Sequence, residues 1–136
     1  MIVIDTNVLS ELMRTGGEVS VARWYEKSGP ALRLPSVVLC EASYGIARLP
    51  SGRRKDALGE NLFEWRERFA DQMLAFGSET AMIFGDIYAN AERAGRPMSF
   101  PDAQIAATAR EHGAMLATRN LRDFSTTGLR LVDPWE

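Results

Sequence analysis

Apolar positions along the chain fall into short runs that alternate with longer stretches of helical periodicity. The first run, Met1 to Ile4, is unbroken, as suits a strand buried on both faces of a parallel sheet. It stops on Asp5, and Thr6 or Asn7 can cap a short helix to Arg14, which Thr15-Gly16-Gly17 ends. A second helix is predicted over Val19–Ser28, with Val21, Trp24 and Tyr25 inward, and a short strand over Ala31–Leu34. Pro35 closes that strand and Ser36 is placed to cap a helix from Val37 to Leu49, on which Val38, Ala42 and Ile46 share one stripe. Pro50-Ser51-Gly52 breaks the chain before the basic cluster Arg53-Arg54-Lys55.

A longer amphipathic helix is predicted over Arg53–Asp71. Leu58, Leu62, Trp65 and Phe69 form its inner stripe, expected in the core or at an interface rather than as a base-stacking platform. Glu64 and Arg68 are spaced as an ion pair on its outer face. Met73–Phe76 is a candidate strand. Ser78 is placed to cap a helix to about Ala94, ended by Gly95. Arg96–Phe100 reads as a loop, Pro101 to His112 as a helix, Met115–Thr118 as a buried strand, Arg119–Thr127 as a polar loop and Arg130–Val132 as a last strand. This alternation indicates one α/β domain over residues 1–136 with a mainly parallel sheet.

Composition narrows the chemistry. The 136 residues are 46% hydrophobic and 25% charged, ordinary for a globular domain. No basic region precedes the first apolar run and no run is long enough to cross a membrane, so a soluble, cytoplasmic protein is expected. The net charge of −2 is not that of a typical nucleic-acid binder, although a local basic rim can act on an acidic protein. The single cysteine, Cys40, excludes an intramolecular disulfide; its apolar neighbours suggest a buried, inert thiol. One histidine, His112, at a helix end, and one cysteine are too few for a structural zinc site. Phosphate-binding glycine loops and nucleophile elbows are absent. Carboxylate chemistry remains.

Four acids stand out by context. Asp5 ends the first strand, Glu41 sits on an otherwise apolar helix face, Asp102 lies in the first turn of a helix, and Asp123 lies in the loop after the fourth strand. Each has an alternative role. Asp5 can cap the next helix, Asp102 can complement a helix dipole, Glu41 can turn to solvent or pair with Arg33 or Arg48, and Asp123 can be an ordinary loop acid. If the first and fourth strands are neighbours, Asp5 and the Thr118 loop emerge at one sheet edge. Clustered carboxylates repel and call for a cation, and oxygen-only ligands suit Mg²⁺ or Mn²⁺. Such ions polarise a phosphoryl oxygen and acidify water, which points to phosphodiester hydrolysis.

Several motifs in this order resemble those of PIN-domain ribonucleases of the VapC type, in particular the FitB-like branch. They are Ile4-Asp5-Thr6-Asn7-Val8-Leu9-Ser10, Glu41-Ala42-Ser43-Tyr44-Gly45, Asp102-Ala103-Gln104-Ile105-Ala106-Ala107-Thr108-Ala109, Leu116-Ala117-Thr118-Arg119-Asn120, Asp123-Phe124 and Pro134-Trp135. The resemblance spans essentially the whole chain. It implies a PIN-like three-layer sandwich, a parallel five-stranded sheet flanked by helices, and an Mg²⁺- or Mn²⁺-dependent endoribonuclease acting as the toxin of a type II toxin–antitoxin pair. Asp5, Glu41, Asp102 and Asp123 match its acidic residues, with Asp5 and Asp102 the principal metal ligands. Thr6, Asn7, Thr118 and Asn120 match polar residues supporting the site. A homodimer and a cognate antitoxin are implied as partners, with RNA as substrate.

Arg119 and Arg122 flank the proposed site; they can hold RNA phosphates or pair with local acids such as Asp123. Two departures from the family pattern are visible. Phe100-Pro101 makes a bulkier approach to Asp102, and Tyr88 stands where many relatives carry an arginine. The alternatives are a PIN-type nuclease acting on DNA and, from another class, a non-catalytic acidic module that binds a basic partner.

Overall fold

The computed structural model describes residues 1–136. Five parallel strands form one sheet in the order β3-β2-β1-β4-β5, with β1 Ile2–Ile4, β2 Leu32–Pro35, β3 Met73–Leu74, β4 Met115–Ala117 and β5 Leu131–Val132. Six helices connect and flank them: α1 Thr6–Met13, α2 Val19–Ser28, α3 Ser36–Ala47, α4 Arg53–Arg68, α5 Ser78–Arg93 and α6 Phe100–Glu111. The α/β class and the parallel five-stranded sheet follow the expectation from the sequence.

The chain starts in the middle of its own sheet. Ile2 is in register with Leu32 on one side and Met115 on the other. Val3 and Ile4 are wholly buried, which at roughly 1.5–3 kcal/mol per side chain fixes the strand firmly. From β1 the order steps outward to β2 and β3, then returns to β4 and β5. Parallel crossovers are right-handed, so this reversal puts α1 and α2 on one face and α5 and α6 on the other. It also makes the carboxyl ends of β1 and β4 a switch point, where open α/β sheets bind ligands.

Several boundaries differ from the sequence reading for local reasons. Asp5 itself, in extended conformation, is the N-cap of α1. Ser36 and Ser78 are first residues of their helices rather than side-chain caps. The amphipathic stripe continues past Arg68, but α4 ends there. Phe69 turns the chain into a 3-10 turn over Ala70–Gln72, and the Gln72 amide donates to the carbonyls of Gly29 and Leu32. Trp65 and Phe69 are buried and Leu62 packs against the core, while Leu58 lines a surface cleft. Arg68 lies 4.5 Å over the Trp65 ring instead of pairing with Glu64.

Cys40 is exposed, against expectation. Its neighbours in sequence are apolar, but at about 100° per residue it is turned about 200° from Val38, which α3 buries. His112 ends α6, at the opposite end of that helix from Asp102.

Candidate active site

The site begins where β1 becomes α1. The Asp5 backbone N–H continues the sheet by donating to the Ala117 carbonyl at 2.9 Å, and its side chain is 4% exposed. Both carboxylate oxygens are engaged. Oδ1 accepts from the Thr6 backbone N–H at 2.7 Å, and Oδ2 accepts from the Thr118 hydroxyl at 2.7 Å. The side chain that caps α1 is thus also tied to the end of β4.

Thr118 sits just past β4 and is fully buried. Its oxygen also accepts from the Asn7 amide at 3.4 Å and from the Asn120 backbone N–H at 3.0 Å. Asn7 in turn accepts from the Arg119 backbone N–H at 3.4 Å. Thr6, at the start of α1, donates its hydroxyl to Glu41 Oε1 at 2.5 Å and so turns that carboxylate toward Asp5. Neither Arg33 nor Arg48 pairs with Glu41. Of the residues expected to support the site, Thr6, Asn7 and Thr118 use their side chains; Asn120 uses its backbone.

Asp102 enters from the N-terminus of α6. That helix starts at Phe100, two residues before Asp102, and its cap is Ser99, whose hydroxyl accepts from the Asp102 backbone N–H at 3.2 Å. Ser99 was not singled out from the sequence, although Ser99-x-x-Asp102 has the spacing of a helix-start motif. Asp123 sits on a 3-10 turn, Leu121–Phe124, which is pinned by the buried Phe124 ring. Its own side chain is exposed at the lip of the site.

The four carboxylates share one electrostatic field. Burial, and then the charge of Asp5, pushes the Asp102 carboxyl up to about 6, with Asp123 and Glu41 adding to the rise. Burial also raises Asp5, reinforced by Glu41 and Asp123 and opposed by the hydrogen bonds from Thr118 and Thr6. No three acidic, histidine or cysteine side chains stand as a ready-made metal cage. Mg²⁺ keeps several waters and is commonly bound by one or two carboxylates. The all-oxygen donor set fits Mg²⁺ or Mn²⁺.

Two clefts meet this edge. A polar cleft of about 570 Å³ is lined by Asp102 and Asp123 together with Arg96, Ser99 and Arg122. On the other side, a more apolar cleft of about 350 Å³ runs from Thr6 and Glu41 past Met13, Ile46 and Leu58, with Arg14 and Arg54 on its walls. The two departures noted in the sequence pack together. The Tyr88 and Phe100 rings meet edge to face at 5.0 Å, and Phe84 joins both. An aromatic residue at position 88 is therefore matched by the aromatic residue before Pro101.

The profile of the PIN domain matches residues 2–128. The VapC ribonuclease Y4jK of Sinorhizobium fredii is 34% identical over 138 residues, covering 100% of this chain and 99% of that protein. Toxin FitB of Neisseria gonorrhoeae is 31% identical, covering 99% of each. Among solved structures, FitAB bound to an IR36 DNA fragment contains a chain that superposes with a TM-score of 0.90 at 30% identity, covering 100% of this chain and 96% of that one.

Proposed function

The chain belongs to the PIN domain family, and from that premise we propose that it is the toxin of a toxin–antitoxin pair, a divalent-metal-dependent endoribonuclease. The supporting observation is that Asp5 and Asp102 are both raised by burial and by the charges of the other acids, Glu41 and Asp123 included, a cost that a bound cation would offset. Asp5 and Asp102 are the residues that would hold Mg²⁺ or Mn²⁺, with Glu41 and Asp123 completing the shell or orienting the attacking water. The bound ion would supply Lewis acidity toward a phosphoryl oxygen and acidify water. Arg122, on the polar cleft with Asp102 and Asp123, and Arg119, next to Thr118, are positioned to take RNA phosphates.

The partner is a cognate antitoxin. One relative is a toxin by name, FitB, and a similar chain is part of the solved FitAB assembly. The apolar cleft beside Glu41 offers an amphipathic partner segment a seat from which a basic side chain reaches the acids. A homodimer is part of the same reading; the exposed side chains of Met82 and Phe100 supply apolar surface for a second copy.

The test is cleavage of single-stranded RNA by the purified chain with Mg²⁺ or Mn²⁺. Cleavage is expected to stop with excess EDTA and in Asp102→Asn. Undiminished cutting in either case overturns the metal-carboxylate mechanism. Intact RNA together with tight binding of a small basic peptide overturns catalysis in favour of a binding module.

A further inference from the structure

Arg119 is a cation placed to spoil the site. It follows Thr118, and its backbone N–H donates to Asn7 Oδ1 at 3.4 Å, so its side chain starts beside the acids. A guanidinium free to move among four carboxylates is drawn to pair with one of them. Here it pairs with none. Its Cζ lies 5.0 Å from the centroid of the Trp135 ring, and the protein's one arginine–carboxylate ion pair is Arg14–Glu11.

Trp135 is brought there by the end of the chain. β5 pairs in parallel with β4, so the tail that follows it leaves the sheet at the same edge as the acids. Pro134 is buried, and the Trp135 backbone N–H donates to Asp133 Oδ1 at 2.9 Å. The indole N–H is buried without a partner, so the ring contributes a face rather than a hydrogen bond. An arginine stacked on an aromatic face keeps its donors free for a phosphate, whereas one paired with a carboxylate has spent them.

We propose that Trp135 is a positioning residue: it parks Arg119 off the carboxylates and holds it as a clamp for an RNA phosphate near the one that is cleaved. The inference rests on the RNA-cleaving reading above and gives a role to a side chain outside both the acidic cluster and its hydrogen-bonded support.

The experiment measures kcat and KM on a short RNA for the wild type, Trp135→Phe, Trp135→Leu, Arg119→Gln and the double variant Arg119→Gln/Trp135→Leu. Trp135→Phe keeps a stacking face and is expected to stay near wild type. Trp135→Leu is expected to raise KM about threefold with kcat nearly unchanged. Arg119→Gln should raise KM further and reduce the slope of log affinity against log salt by about 0.7, one phosphate contact on a single strand. In the Arg119→Gln background, Trp135→Leu should add nothing. A Trp135→Leu variant equal to wild type, or one whose effect persists without Arg119, overturns the inference and leaves the nuclease reading standing. A wild-type chain that cuts no RNA overturns both. Should Trp135→Leu not fold, Trp135→Met takes its place, unbranched and adaptable enough to fill part of the indole's space and without a π face.

Discussion

The Thr118 hydroxyl donates to Asp5 Oδ2 across the carboxyl ends of two neighbouring strands, at 2.7 Å. The bond joins residues 113 positions apart in sequence and sets the orientation of the most buried acid of the site. Replacing Thr118 by Val removes that donor and leaves the Asn7 amide and the Asn120 N–H without their acceptor. The expected cost is about 1–3 kcal/mol of stability. Thr118→Ser keeps the hydroxyl and should retain more RNA cleavage than Thr118→Val. Equal cleavage by the two variants in a side-by-side assay would show that the hydroxyl is dispensable.

Asp5 separates stability from activity. Asn caps a helix about as well as Asp, and Asp5→Asn removes a charge that burial and Glu41 oppose. The variant is expected to melt at or above the wild-type temperature while losing cleavage by at least about 100-fold. The latter is the upper end of what is lost when a partner of a metal ligand, rather than the ligand itself, is changed. Thermal melts and initial rates on one preparation check both halves.

The raised carboxyls make the metal-free protein pH-sensitive in a definite direction. Asp102 titrates at about 6 when folded against a usual 3.8, so between these values the unfolded chain releases a proton that the folded chain keeps. The unfolded state is favoured increasingly as pH rises through that window. In EDTA, melting temperature is expected to fall from about pH 4 to about pH 6 and to level off above. Mg²⁺ or Mn²⁺ should recover the loss at pH 7.5 and much less at pH 5, where Asp102 is largely protonated. A melting temperature that rises across this window in EDTA would contradict the assigned burial of the two acids.

Tyr88 is committed to its neighbours. Its ring packs on Phe100 at 5.0 Å and on Phe84 at 5.5 Å, each pair worth about 0.5–1.5 kcal/mol beyond simple burial. Tyr88→Arg, toward the commoner family residue, should therefore destabilise this chain by about 1–3 kcal/mol. Chemical denaturation checks it, and an unchanged midpoint would mean the triad carries no stability.

The strands and three of the four acids leave a local mark in the sequence: an unbroken apolar run before Asp5, an acid amid apolar residues at Glu41, a proline before Asp102. Asp123, an acid in a polar loop, leaves none. What joins them was less so. Thr6 donating to Glu41 links residues 35 apart, and no spacing rule predicts it. Cys40 departs from the composition of its surroundings because the helical period, not its apolar neighbours, sets the face on which it lies. Arg68 chose the Trp65 ring over Glu64 because an exposed ion pair gains little in water, whereas a guanidinium on a buried ring also covers apolar surface. Ser99 carried a readable signal in its distance from Asp102.

A parallel sheet also decides where foreign sequence can be attached. β1 runs from Met1 toward Asp5, so Met1, half exposed at 49%, emerges at the edge opposite the acids. β5 runs the same way, and the residues after Val132 end beside Arg119. A purification tag joined ahead of Met1 is expected to leave catalysis alone. The same tag joined after Glu136 would lie beside Arg119 and is expected to lower RNA cleavage.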